Sequence, residues 1–247
     1  MCTGRIDLAF ILRAYQKGAD GVFIGGCWPG ECHYVTEGNY DALANMHLCK
    51  MLMAHIGLDP QRLRLEWVAA SEGARFAEVM NDFVKQTKEL GKIGDAENLT
   101  GEVLQARLAA TQKLVPYLKL VERERLRPPV KKEDAYNAYY ASDEVRRLFD
   151  ELIADKLTIT QILQSLEQEP LTTRDIAEGL GLEPSAVSRQ MMVSSRQGLV
   201  RYDVASNKYV LARPAKKGNG TQREAAQPDI SGDDGLREKN VTSAAIA

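Results

Sequence analysis

Three of the chain's four cysteines fall within its first 32 residues, and two of them share the run Gly25-Gly26-Cys27-Trp28-Pro29-Gly30-Glu31-Cys32-His33. Glycine and proline make this stretch turn sharply, so thiolates four residues apart can aim at one point. Three chemistries use such a pair. A two-iron cluster takes cysteines at this spacing, and the backbone N–H groups of Gly26 and Gly30 can hydrogen-bond its bridging sulfides. A zinc ion held by Cys2, Cys27, Cys32 and His33 is the rival metal site. A Cys27–Cys32 disulfide switch is a third reading, set against the usual Cys-x-x-Cys spacing of redox pairs. Trp28 and His33 stand beside the ligands, the indole as a water shield or loop-packing group and the imidazole as a hydrogen-bonding or loop-stabilising one. The candidate ligands are therefore Cys2, Cys27 and Cys32, and a four-ligand cluster lacks its fourth.

The elements that must position these thiols alternate between helix and strand. Leu8, Ile11, Leu12 and Tyr15 recur at helical spacing, with Gly18 as the stop. The glycine-bounded run from Asp20 to Gly26 reads as a buried parallel strand that ends in the cysteine loop. Tyr40 to Ile56 reads as an apolar helix, Leu63 to Val68 as a second strand, and a third helix capped by Ser71 carries Phe76, Val79, Met80, Phe83 and Val84. Strands alternating with helices imply a parallel α/β sheet, and loops after neighbouring strands share one edge, which brings Cys2 toward Cys27 and Cys32. Two strands give three crossover helices too little sheet, so the segment reads as the second half of a doubly wound domain. Its first strands are expected from a partner chain, a separately encoded N-terminal half, or coding sequence upstream of Met1.

Other cysteine and histidine positions read as packing. Cys49 lies among Leu48, Met51 and Leu52 as a small buried hydrophobe, and His47 and His55 stand eight apart, too far for one metal face. Arg5 and Glu66 read as solvated charge.

Further along, Thr100 to Val121 is helical with Pro116 inside it, and Arg123 to Arg127 followed by Pro128-Pro129 reads as a hinge. Ser142 caps a helix bearing Val145, Leu148, Phe149, Leu152 and Ile153. From Thr158 the grammar changes to three short helices, the third opening at Pro184, then a hairpin around Ser206-Asn207. This resembles a winged-helix module, through Thr172 to Ala177 and Pro184 to Arg189. Ser185, Ser188, Arg189, Arg196 and Lys208 are its candidate DNA or partner contacts. Residues 158–213 carry six basic and six acidic side chains, which leaves little counterion-release drive for nucleic acid, so DNA is weighed but not favoured. The expected organisation is thus an α/β segment over residues 1–92, a helical linker over 98–157, the winged-helix-like (α+β) module over 158–213, and a disordered tail over 214–247.

A net charge of −2 argues against a chain devoted to coating a polyanion. No run of about 18 apolar residues and no secretory signal occurs, so a cytoplasmic protein with no membrane partner is expected.

The runs Met1-Cys2-Thr3-Gly4-Arg5, Gly18 to Cys27, Pro29 to Tyr34, Arg62 to Trp67 and Ser71-Glu72-Gly73 resemble the delta-subunit family of methyl-viologen-reducing hydrogenase. The resemblance covers about the first 90 residues. It implies a flavodoxin-like electron-transfer subunit with a two-iron two-sulfur cluster. In that family the subunit links a hydrogenase or formate dehydrogenase to the large flavin-containing component of heterodisulfide reductase. The chain departs from the pattern in two places. The family's Cys-rich strand and helix ahead of the Met-Cys-Thr-Gly-Arg run is absent, which fits a gene model restarted at Met1 after an in-frame selenocysteine codon. Trp28 stands where the family commonly has His. Two functions follow as expectations: an electron-transfer subunit, and a redox-responsive winged-helix regulator.

Overall fold

A computed structural model describes residues 2–212; the tail expected over 214–247, like Arg213, lies outside the described residues. The Asp7 carboxylate accepts the Ala9 N–H and opens α1 (Leu8–Gln16), whose Leu8, Ile11, Leu12 and Tyr15 are buried as their spacing predicts. Strand β1 (Val22–Gly26), helix α2 (Gly38–His55), strand β2 (Leu63–Trp67) and helix α3 (Gly73–Leu90) follow. The strands pair in parallel, Val22 opposite Leu63 through Gly26 opposite Trp67. Ile24 points into the core with α1 and α2, while Phe23 on the opposite face meets the rings of Phe76 and Phe83 in α3.

Two details of α3 differ from expectation. Ser71 does not cap it: Glu72 holds the N-cap position, and its carboxylate is taken by the Ala69 N–H and the Trp28 indole rather than by the helix. Of the expected stripe only Phe83 is buried, with Phe76 49% and Val84 42% exposed. A two-stranded sheet is too narrow to cover a helix about 27 Å long.

Arg62, completely buried, ends the 3-10 turn that leads into β2. It pairs with Glu97 at 2.6 Å and donates to the carbonyls of Asp20, Leu90, Gly91 and Lys92, so one guanidinium ties the approach to β1 to the end of α3.

Helix α4 (Gly101–Arg125), capped by Thr100, contains Pro116 without ending there. The hinge expected at Arg123–Arg127 is a packed corner instead. The helix runs through Arg125, Leu126 is completely buried, and Arg127 bridges Glu122 and Asp41 at 2.9 Å each. Helices α5 (Glu133–Tyr140) and α6 (Asp143–Phe149, capped by Ser142) lead through one π-helical turn, Asp150–Ala154, directly into α7 (Asp155–Gln168). The change of grammar read at Thr158 therefore falls inside a continuous helix. Ile153 and Leu157 belong to a hydrophobic cluster that gathers residues from Leu8 onward, and Ile162 and Leu166 to a second. One helix feeds both cores.

The second core joins α7 to α8 (Thr173–Leu180), α9 (Pro184–Arg196) and the antiparallel strands β3 (Val200–Asp203) and β4 (Lys208–Leu211). Thr172 and Asp175 form a reciprocal capping box, Gly181 takes the left-handed conformation after α8, and Pro184 starts α9. Leu171 adds a short bridge to Tyr209. Arg107 of α4 joins the two regions, donating to Ile56 O at the end of α2 (2.8 Å) and to Leu180 O at the end of α8 (2.9 Å). No helix among the described residues is long and apolar enough to cross a membrane.

Candidate metal centre

Cys2 precedes a single 3-10 turn, Thr3–Arg5, that the Arg5 N–H closes onto Cys2 O. Thr3 Oγ1 donates to Gly25 O at 2.8 Å, fastening this turn to the end of β1. The loop after β1 makes a type II turn: the Glu31 N–H reaches Trp28 O at 2.9 Å, with Pro29 first and Gly30, at φ +92°, second of the central pair. This folds Cys32 back toward Cys2, and their sulfurs lie 3.6 Å apart. Cys32 is buried and Cys2 half-buried, and all four cysteines are free thiols.

Both sulfurs rest on the first turn of α2. A Cβ on Gly38 would stand 2.5 Å from the Cys32 sulfur and 2.7 Å from that of Cys2, and a Cβ on Gly4 would strike Gly38 O at 2.4 Å. Glycine at both positions lets two thiols and a helix N-terminus meet. Exposed N–H groups and the positive end of the helix dipole favour thiolates there. Burial pushes the protein-bound Cys2 thiol above its ordinary value; Cys32 and Asp41 add to this, against the Gly4 N–H.

A tetrahedral metal with sulfur ligands at about 2.3 Å sets two of them ~3.8 Å apart. The Cys2–Cys32 separation fits such a pair on one ion, and the side-chain-free cradle at Gly38 fits a bulky sulfur-ligated group.

The third expected ligand is not gathered in. Among the described residues, no three His, Cys, Asp or Glu side chains converge to hold a metal ion. Cys27 is nonetheless tied to the same helix end, since Asn39 Nδ2 donates to Cys27 O at 2.6 Å. His33 is exposed, its ring edge-on to Tyr34. Trp28 donates its indole N–H to Glu72 at 2.8 Å and lies under the Arg75 guanidinium, so it packs the loop onto the start of α3. The Ala69 N–H and then the indole hold the Glu72 carboxyl below its usual range. Gly26 faces Trp67, whose ring a Cβ would meet at 2.7 Å.

Reading the sequence missed Gly38, Gly4 and Asn39. The helix read from Tyr40 begins two residues earlier, at Gly38, and proximity of the sulfurs reveals why that position carries no side chain.

The remaining candidates separate by burial. Cys49 is completely buried and its thiol pushed up to about 12 by that burial. His47 stacks on Tyr140 and bonds Asn137, and His55 lies against Phe149. Glu66 pairs with Arg64 and Arg75, and Arg5 is exposed. Ser185, Ser188, Arg189 and Arg196 share the exposed face of α9 opposite buried Val187 and Met191, and Lys208 is half-buried on β4.

The sequence profile of the methyl-viologen-reducing hydrogenase delta subunit matches residues 1–91, and that of the arsR family of bacterial regulatory proteins matches residues 160–202. The vhc-type iron-sulfur D component of an F420-non-reducing hydrogenase from Methanococcus voltae is 44% identical over 103 residues, 42% of this chain and 70% of that one. The chain belongs to the methyl-viologen-reducing hydrogenase delta subunit family. Another delta-type relative, the iron-sulfur D component of the F420-non-reducing hydrogenase of Archaeoglobus profundus, is 49% identical over 90 residues, 36% of this chain and 65% of that one. The A component of the ferredoxin/F420H2-dependent CoB-CoM heterodisulfide reductase of Methanosarcina acetivorans is 48% identical over 94 residues, 38% of this chain. The chain spans only 12% of that protein's length. The family match over residues 1–91 takes in Cys2, Cys27, Cys32 and Gly38 and ends before α4.

Proposed function

We propose that this chain is an electron-transfer subunit in which Cys2, Cys27 and Cys32 hold a two-iron two-sulfur cluster. It relays single electrons between a hydrogenase or formate dehydrogenase and a heterodisulfide reductase-like flavoprotein. The observation that carries this reading is the 3.6 Å approach of the Cys2 and Cys32 sulfurs on the side-chain-free first turn of α2. The names of the relatives, iron-sulfur components of hydrogenases and A components of heterodisulfide reductases, support the class of complex. When bound, the cluster supplies a store for one electron. The chain's own residues do the positioning: Gly38 and Gly4 admit the sulfurs, Asn39 holds the Cys27 backbone, and the α2 N-terminus offsets negative charge. In this reading residues 1–92 are a partial flavodoxin-like domain and residues 158–213 a winged helix, with the helices of 98–157 between them.

The test is metal analysis of anaerobically purified protein. Iron and sulfide in equal amounts are expected, and Gly38→Ala is expected to lose most of both while Cys49→Ala retains them. Alanine within a helix ordinarily gains about 1 kcal/mol over glycine, so a loss at position 38 reports the sulfur contact rather than helix propensity. Zinc with neither iron nor sulfide would replace the cluster with the zinc reading.

A second reading, a redox-responsive DNA-binding regulator, is favoured by the arsR-family match and the exposed α9 face. Salt-dependent, sequence-specific DNA binding that changes with oxidation would select it.

A further inference from the structure

Of the cysteine pair, Cys32 is buried and Cys2 borders a cleft. A small cleft of about 120 Å³ bordered by Cys2, Tyr34 and Glu37 shares Gly4, Arg5 and Asp41 with a neighbouring one of about 530 Å³, walled by the start of α1 and the C-terminal part of α4. Four cations line the larger cleft, and they are not equivalent. Lys119 is bound to Asp7 at 2.6 Å, and Arg127 to Glu122 and Asp41. Arg5 and Arg123 are exposed and have no ion-pair partner among the described residues. Leu120, 58% exposed, and Pro116 supply an apolar wall beside them. Asp7, Asp41 and Glu122 are already paired with cations, Arg5 and Arg123 are not, and the adjoining small cleft is bordered by Cys2.

We propose that this cleft receives an acidic segment of the protein that exchanges electrons with the cysteine centre, carboxylates meeting Arg5 and Arg123 and an apolar side chain meeting Leu120. The partner's role rests on the electron-transfer reading; the charge selectivity of the cleft does not. Complementary charge steers the encounter and sets orientation, while the small cleft brings the docked segment against Cys2.

The test uses the purified full chain and a hexaglutamate peptide, coupled by a carbodiimide that joins carboxylate to amine, with adducts mapped by mass spectrometry. Lys119 lies in the cleft and reports occupancy in an Asp7→Asn background, which removes the internal carboxylate that would otherwise couple to it. The expected result is preferential coupling at Lys119 over the exposed Lys85 and Lys156, falling about fivefold in Arg5→Gln/Arg123→Gln and at about 200 mM added salt. Even coupling over all lysines, or a double variant that couples like the parent, overturns the proposal. So does a short oligothymidylate that displaces the peptide more effectively than simple salt of equal ionic strength, since that assigns the cleft to nucleic acid. Should the double variant fold poorly, Arg123→Gln alone carries the same expectation in smaller measure. Iron and sulfide assayed on the same preparations separate the two readings: coupling at Lys119 without iron keeps the cleft and removes the electron carrier, and iron without coupling does the reverse.

Discussion

The cysteine-bearing segment and the helix-turn-helix segment are built by different kinds of instruction. Around α8 and α9 each decision is local: Thr172 with Asp175 starts one helix, left-handed Gly181 ends it, Pro184 starts the next, and a small cluster from Ile162 to Val200 holds the result together. Around Cys2 and Cys32 the decisive contacts join residues far apart in the chain, Gly4 against Gly38, Thr3 against Gly25, Arg62 against Glu97. A module specified locally can be carried by many proteins with little change. A site specified by long-range exclusion of side chains tolerates few substitutions, and its glycines carry as much information as its cysteines.

If the two segments differ in this way, perturbing each should leave a distinct signature. Arg62→Met should act most strongly, because it strands a half-buried Glu97 and four carbonyls; a loss of about 3–5 kcal/mol is expected in denaturant unfolding. Hydrogen exchange should show α1–α3 deprotected well before α8 and α9, and uniform deprotection would break the distinction. Met191→Ala empties part of the smaller core and should cost about 2–4 kcal/mol, with exchange rising in α8, α9 and the β3–β4 hairpin while that of α1–α3 is unchanged. Thr172→Ala removes one half of the capping box for about 1 kcal/mol, and its effect should be confined to the start of α8 in the same exchange experiment.

The smallest effect is a pH dependence. Burial lowers both His47 and His55 below the ordinary histidine value of 6.5, so the unfolded chain takes up protons that the folded chain resists. Stability from these two groups is present above pH 6.5 and declines as the pH falls below it. Melting temperature should drop between about pH 7.5 and pH 5.5, and less so in His47→Gln.

How much of this was legible in the sequence follows the same division. The apolar face of α1, the parallel strands, the start of α9 at Pro184 and the hairpin were readable because periodicity and turn chemistry act over a few residues. Convergence of Cys2 and Cys32 was readable from the shared edge of a parallel sheet. The exposure of α3 and the packed corner at Leu126 were not, since charge in Arg123–Arg127 signals a solvated face whether the helix continues or stops. Nor was the unbroken run from Asp143 to Gln168, in which a π turn accommodates the passage from one core to the next. Ser71 looked like a cap because its type suits one; Glu72 took the position because Trp28 and Ala69 claim its carboxylate.

Arg107 gives this architecture a mechanical character. A single guanidinium terminates both the helix that begins under the sulfurs and the first helix of the turn pair, and glycines at 57 and 181 leave it the room to do so. The two ends share one fastener. Shortening that side chain would take the donor from Ile56 O and Leu180 O at once, so the cysteine-bearing segment and the α8–α9 segment share one point of failure.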